Sequence, residues 1–401
     1  MILGHTIALD PSPEQEAYFR RACGTARFAY NWALAEWKRM HAAGERPTTS
    51  IIKARWNAYR NAELPWSYEV TKCASGQAIL DLGAAFANFF SDCKKPRRQR
   101  RFLYPRFKKK QLNESFALWN DQFDLDWDRI RIPKLGWVRM HEHPRLCGVI
   151  LGAVVSFGAG RWFVSIQVDA QSDNEPAPVN TVAGVDLGVE TLATLSTGEK
   201  IEGPKPRKRL LGRIKRLQRR VSLQKHRAKK AGHKASHRQM IRQLQLSKLH
   251  ARVANIRKDA AHKLTTDLTS RFETIVIEDL NISGMSKNHA LAGAVLDGGW
   301  HEISRQLQYK TAMRGGRIVV ANRFFPSSKT CSECGFVKDA LPLSVRAWTC
   351  DECGTVHDRD VNSAKNLEKL GLAKAEATRG DMVPLRAGVS LSASAVVEPR
   401  T

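Results

Sequence analysis

The sequence predicts a multidomain chain of mixed α+β and α/β type, on three observations. Apolar residues recur at three and four in the first hundred positions, alternate strictly between residues 115 and 168, and then form short buried-strand runs between long helical stretches. Four of the eight cysteines crowd into residues 331 to 353. A length of 401 residues leaves room for two or three domains at about 150 residues each. Lys and Arg number 65 against 39 Asp and Glu, for a net charge of +26. At 42% hydrophobic residues the chain is too apolar for disorder. A folded protein so charged repels itself unless a polyanion neutralises it, so nucleic acid is the expected partner and small neutral substrates are demoted. No run reaches the ~18 apolar residues of a membrane span, and MILGHTIALD lacks a basic segment followed by an apolar core. A cytoplasmic, nucleoid-associated location is expected.

Taken in order, residues 1 to 8 read as a short strand, and Pro11-Ser12-Pro13-Glu14 opens a helix running to Met40. Gly76 to Phe90 repeats the helical period through Ile79, Leu82, Phe86 and Phe90, so both stretches predict a helical core. The following segment, KKPRRQRRFLYPRFKKKQ, interleaves cations with Phe102, Tyr104 and Phe107. Rings that stack on bases beside charges that meet phosphates suit a nucleic-acid strand, which nominates Tyr104, Arg106 and Lys108. Alternation in Trp127 to Pro133 and Trp162 to Val168 predicts antiparallel strands of a small barrel, and residues 171 to 180 read as a linker.

The second half opens with a buried strand from Val182 to Val189, interrupted by Asp186, then strands at Thr191 to Leu195 and Lys200 to Glu202 about a Thr197-Gly198 turn. Lys205 to Lys258 holds twenty Lys/Arg and no Asp/Glu. Leu210, Ile214, Leu217 and Val221, then Leu246, Leu249, Val253 and Ile256, keep helical spacing inside it. One helix over about 60 residues would span ~90 Å, and Gly232 near the middle favours a helical hairpin instead. Arg213, Arg216 and Arg220 are its nominated nucleic-acid contacts. Thr274 to Asp279 predicts a strand, Trp300 to Arg314 a helix, Arg317 to Val320 a strand and Asn362 to Leu372 a short helix. The tail from Ala375 is expected to be loosely ordered.

Cys331-x2-Cys334-x15-Cys350-x2-Cys353 has four-cysteine zinc spacing. Gly335 and Gly354, each just after a second cysteine, suit the left-handed turn of a metal knuckle. Four ligands close the site, so the zinc is expected to hold structure. Cys23, Cys73, Cys93 and Cys147 are scattered and expected to be inert thiols.

Three acids stand where patterning would not put them. Asp186 interrupts Ala-Gly-Val-Asp-Leu-Gly-Val, Glu278 ends Ile275-Val276-Ile277, and Asp360 opens a helix in His-Asp-Arg-Asp-Val-Asn. Buried carboxylates are costly unless paired or bound to a cation. Three converging would make a hard-oxygen site for Mg²⁺ or Mn²⁺, suited to attack of water on a phosphodiester. Alternation lets only one of Glu278 and Asp279 face such a site, and Asp358 competes with Asp360 as either ligand or helix cap.

At these residues the chain resembles the TnpB family, RNA-guided nucleases of bacterial insertion sequences related to type V CRISPR effectors. The resemblance rests on Gly-Val-Asp186-Leu-Gly-Val, Ile-Glu278-Asp-Leu-Asn281, Pro326-Ser-Ser-Lys-Thr-Cys331 and Cys350 onward into His357-Asp-Arg-Asp360-x-Asn362-x-Ala364-x-Asn366. It implies Asp186, Glu278 and Asp360 as the catalytic acids of a RuvC-like, RNase H-fold nuclease, with the four cysteines as a zinc-ribbon insertion. It further implies a wedge-like β-barrel (1–10 and 112–172) with an inserted helical recognition domain (11–111). The nuclease would follow at 180–328 and 356–372, the ribbon at 329–355 and a loose tail at 373–401. The implied activity is cutting of double-stranded DNA beside a short motif, guided by an RNA from the element's own end, with Gln77 among the motif-reading residues. Rival readings are a compact type V CRISPR effector with the same chemistry, and a zinc-ribbon nucleic-acid-binding regulator that does not cut. A transposase joining DNA through a tyrosine ranks last, because the chain has no His-apolar-His metal motif: His141-Glu-His143 has an acid between. Oligomeric state stays open.

Overall fold

The structure is a computed structural model that describes residues 1–110, 114–170, 175–288, 291–342 and 344–380; the expected tail beyond 380 lies outside the described residues. The chain divides into two compact units, Met1–Ser172 and Asp173–Thr401.

In the first unit β1 (Ile2–Asp10) leads into α1 (Pro13–Ala42). The Ser12 hydroxyl accepts from the Gln15 N–H, and the Gln15 side chain accepts from the Ser12 N–H, so two orphan donors are satisfied at the helix start. Next come α2 (Thr49–Glu63) and α3 (Lys72–Cys93), capped by Thr48 and Thr71. The strands β2 (Ser115–Trp119), β3 (Asp124–Asp126), β4 (Arg129–Ile132), β5 (Gly136–Met140), β6 (Gly148–Gly158) and β7 (Arg161–Ala170) complete the unit. They join β1 in one antiparallel seven-stranded sheet of order β2-β6-β7-β1-β5-β4-β3. Its alternate residues Ile7, Phe116, Val164 and Ile166 are buried with Phe19, Ala26 and Leu34 of α1 and Ile79 and Phe86 of α3.

The second unit is built on a five-stranded sheet of order β10-β9-β8-β11-β12: β8 (Val182–Asp186), β9 (Ala193–Leu195), β10 (Lys200–Ile201), β11 (Thr274–Glu278) and β12 (Arg317–Ala321). Strands β8, β11 and β12 run parallel, with Val185 opposite Ile277, and β9 and β10 are antiparallel additions. Between β10 and β11 stand α4 (Pro206–Lys230) and α5 (His237–Arg271), the expected hairpin, with Gly232 at φ +65° in its turn. The short helices α6 (Ile282–Met285) and α7 (Ala292–Gly298) precede α8 (Trp300–Met313), which leads back to β12. Buried Asp297 of α7 accepts from the Arg207 and Lys208 N–H groups and pairs with Arg257, pinning the start of α4 to α5.

After β12 a two-stranded ribbon, β13 (Ala347–Thr349) and β14 (Val356–Asp358), gives way to α9 (Arg359–Gly380). This helix starts earlier than Asn362 and continues past Leu372, so residues 373 to 380 are helical where a loose tail was expected. The two faces of the five-stranded sheet are covered differently. Val185, Ile275 and Ile277 pack with Leu264 and Leu268 of α5 and Ile303 and Leu307 of α8. Val182, Val276 and Val319 instead pack with Leu367 and Leu370 of α9.

Candidate active site and thiol cluster

The strand period decides where two of the acids point. Val185 and Ile277 face α5 and α8, so their successors Asp186 and Glu278 turn to the α9 side at the ends of neighbouring parallel strands. Gly184 then sets how closely α9 lies. A Cβ there would stand 1.9 Å from the Ala364 carbonyl oxygen and 2.6 Å from the Glu368 nitrogen. Likewise a Cβ at Gly371 would fall 2.5 Å from Val276 and 3.0 Å from Val182. Gly371 therefore sits over Val182, and Ala364 and Glu368 straddle Gly184, so α9 runs opposite to the strand. Two strand residues advance about 6.6 Å. Four helix residues advance about 6 Å. One step further along brings Asp360, in the first turn of α9, over Asp186.

Electrostatics agree with that placement. Burial, and then the charges of Glu278 and Asp360, push the Asp186 carboxyl up to about 8. The competing acids are engaged elsewhere. Asp279 pairs with Arg323 at 2.7 Å, on the other side of the strand from Glu278. Asp358 accepts from the N–H groups of Asp360 and Val361 and from Lys200 at 2.7 Å. Burial works against its charge, but Lys200 and those N–H groups outweigh it and hold the carboxyl below its usual range. Asp358 is thus the cap of α9, and Asp360 is the acid of the pair whose charge bears on Asp186.

Two contacts on the cluster were not foreseen. Ser327 donates its hydroxyl hydrogen to Glu278. Arg346, between the second thiol pair and the first, reaches Asp360 at 3.4 Å and Glu190 at 3.1 Å. A guanidinium drawn onto a carboxylate cluster marks excess negative charge, the condition under which a divalent cation binds. Three carboxylates are the donor set that Mg²⁺ or Mn²⁺ takes.

The four cysteines do come together. The sulfur atoms of Cys331, Cys334, Cys350 and Cys353 all lie within 4.8 Å of one another, with Cys331–Cys353 and Cys334–Cys350 at 3.6 Å. A tetrahedron with ~2.3 Å Zn–S bonds has sulfur–sulfur edges of about 3.8 Å, so the thiols fit zinc. Each knuckle closes through an N–H to carbonyl bond of 3.0 Å, Gly335 to Cys331 and Gly354 to Cys350, with φ of +82° and +71° at the glycines. Buried His357 places Nε2 3.0 Å from the Cys331 sulfur, against the Trp348 ring. Among the described residues this is the group of His, Cys, Asp or Glu ligand atoms gathered within 4.8 Å; the three carboxylates stand farther apart. Of the scattered thiols, Cys23 and Cys73 are buried and Cys93 and Cys147 exposed. Burial pushes Cys23 up to about 12, which makes it unreactive.

The nominated nucleic-acid contacts are spread over both units. Gln77 on α3 accepts from the Trp119 indole at 2.9 Å and donates to Asp81 at 3.0 Å. Tyr104 sets its ring edge against Phe86 and Phe89 yet stays 42% exposed. Arg106 is exposed, while the Lys108 ammonium lies 4.1 Å from the Tyr30 ring and burial lowers its pKa. Arg213, Arg216 and Arg220 are exposed on α4.

Comparison with known proteins places this architecture. Residues 165–289 match the family described as "Probable transposase", residues 300–367 the "Cas12f1-like, TNB domain", and residues 1–46 a "Helix-turn-helix domain". A Streptomyces pristinaespiralis protein named "Putative RNA-guided DNA endonuclease" is 37% identical over 376 residues, covering 90% of this chain and 88% of its own. InsQ of Escherichia coli K12, with the same description, is 33% identical over 383 residues and 91% of each chain. Among solved structures, Cas12f1 in its complex with guide RNA and target DNA aligns at a TM-score of 0.56 and 14% identity. That alignment covers 88% of this chain and 83% of that one, and it shows a shared mixed α/β fold. No helix among the described residues is long and apolar enough to cross a membrane. With relatives this similar over nine-tenths of its length, the chain belongs to the TnpB family.

Proposed function

We propose that the protein is an RNA-guided DNA endonuclease that cuts double-stranded DNA beside a short motif, with Asp186, Glu278 and Asp360 as its catalytic acids. The single observation that carries this reading is the convergence of those residues, from two parallel strands and a helix start, on one face of the second unit's sheet. Asp186, Glu278 and Asp360 would hold divalent cations, which would supply an activated water and counter-charge for a phosphodiester under attack. Asp186, whose carboxyl is pushed up by burial and then by the charges of Glu278 and Asp360, would give up its proton in the field of such a cation. Glu278 is oriented by Ser327, and Asp360 by the first turn of α9, where the helix N-terminus favours a negative group. Arg346 balances the surplus charge from the ribbon side.

In this reading residues 180–328 and 356–372 form the RuvC-like nuclease and 329–355 a zinc ribbon. Residues 1–10 and 112–172 form the wedge-like barrel around a helical recognition segment, 11–111. Guide RNA from the element's own end pairs with one DNA strand in a nearly balanced exchange, so protein contacts to the backbone must tip it. Lys205 to Lys258 supplies cations for that task, and Gln77, Tyr104, Arg106 and Lys108 face nucleic acid in the first unit.

The test is to co-express the chain with RNA flanking its gene and offer a target library with Mg²⁺. Cutting beside a fixed motif is expected, and Asp186→Ala should bind but not cut. Uncut DNA from the unaltered complex would refute the nuclease reading. Elemental analysis should find about one zinc per chain, lost in Cys334→Ser.

A further inference from the structure

We propose that Ser327, Asn362 and Asn366 form a clamp that positions Glu278 and Asp360 from the thiol cluster. The proposal deepens the reading above, since it takes those acids as the cation-holding residues. The loop from Pro326 to Cys331 leaves β12 and enters the first knuckle. It closes on itself through bonds to the Pro326 carbonyl from the Lys329 and Thr330 N–H groups at 3.1 and 3.0 Å. Asn362 and Asn366 lie one turn apart on α9, on a common face that begins just after Asp360. Both are almost fully buried, at 2% and 5% exposure, as is Ser327 at 5%.

Their bonds all converge on that loop. Asn366 Nδ2 donates to the carbonyls of Ser327 at 2.8 Å and Thr330 at 2.6 Å. Asn362 Nδ2 donates to the Thr330 carbonyl at 2.7 Å, while its Oδ1 accepts from the Ser332 N–H at 2.9 Å. The partners fix the amide orientation, because carbonyls can only accept and the Ser332 N–H can only donate. An Asp at either position would set oxygen against carbonyl oxygen. The loop so held points the Ser327 hydroxyl at Glu278. One loop therefore joins the first knuckle cysteine, the helix that carries Asp360 in its first turn and the strand that ends at Glu278. These three side chains carry no charge and touch no substrate; they are positioning residues acting through the two carboxylates.

Three variants of the full, zinc-loaded chain test the clamp, read by Mn²⁺ titration with electron paramagnetic resonance and by zinc content. Ser327→Ala removes the hydroxyl and leaves the backbone bonds in place. It should weaken Mn²⁺ binding about 10- to 100-fold with zinc content and thermal midpoint unchanged. Ser327→Thr, which keeps the hydroxyl, should restore affinity to near that of the unaltered chain. Asn366→Leu removes the close donor to the buried Ser327 carbonyl and leaves the Thr330 carbonyl with Asn362 alone, so it should lower both Mn²⁺ affinity and the thermal midpoint. Unaltered Mn²⁺ affinity in Ser327→Ala would overturn the clamp alone, leaving the carboxylates as the cation site. Unaltered affinity in Asp186→Ala would overturn the catalytic reading and the clamp with it.

Discussion

The carboxylate centre and the α4–α5 hairpin are both dominated by like charges, but they are built in opposite ways. At the centre, α9 lies on Gly184 with no room for a methyl group, Asp358 is tied to Lys200, and buried amides fix the adjoining loop. The hairpin is joined by a narrow apolar seam of Ile214, Val221, Leu246, Leu249 and Val253. Its arginines at 213, 216 and 220 show no ion pair among the described residues. Close packing makes a site that depends on ångströms, whereas a solvated row of cations makes a field that depends on charge count. Single changes should therefore be all-or-none at the centre and graded on the hairpin.

The sharpest contrast is expected from the acids. Asp360→Ala should abolish cutting without weakening guide binding, and Asp358→Ala should keep cutting, measured on a supercoiled target. Next is Gly184→Ala, which adds a Cβ where the Ala364 carbonyl stands and so lifts α9 from the sheet. Overpacking of this kind costs about 1–3 kcal/mol of stability. A displacement near 1 Å at the site would slow cutting about 10²-fold. Equal rates for Gly184→Ala and the unaltered chain would mean that α9 need not lie so close.

On the hairpin, neutralising Arg213, Arg216 and Arg220 together should weaken RNA binding without touching the chemical step. The log–log salt slope should fall by about 0.7 to 0.9 for each phosphate left without its arginine. An unchanged slope would show that this face is idle. The smallest effect concerns pH. Asp186 has a folded pKa of about 8, above its unfolded value, so the folded metal-free chain holds the extra proton. Its contribution to stability is complete below the unfolded pKa of about 3.9 and is lost as pH rises through 8. The thermal midpoint of the metal-free chain should drop by at least ~2–4 °C between pH 5 and 8, and Asp186→Asn should flatten that slope.

Much of this was legible in the sequence where the signal is periodic or spaced. The hairpin about Gly232 and the four thiols follow from helical spacing and Cys-x2-Cys pairs, whereas the strand expected from Val182 to Val189 stops at Asp186, and its parallel pairing with Thr274–Glu278 is written in neither run. The helix from Thr49 to Glu63 has no periodic signal of its own, because it buries only Ile52 and Trp56 and carries no continuous stripe. The choice of Asp360 over Asp358 depends on Lys200, which stands 158 residues away. Ser327 and Asn366 gave no sign of their roles, since buried polar contacts follow no period. The one available hint was the four-residue interval from Asn362 to Asn366 behind an acid at a helix start.

The central claim is that three acids, remote in the chain, hold divalent cations at one face of the second unit's sheet. Anomalous diffraction from the guide- and target-bound complex with Mn²⁺ replacing Mg²⁺ tests it most directly. Peaks enclosed by the side chains of Asp186, Glu278 and Asp360 are expected. Peaks elsewhere, in crystals whose DNA is being cut, would contradict it.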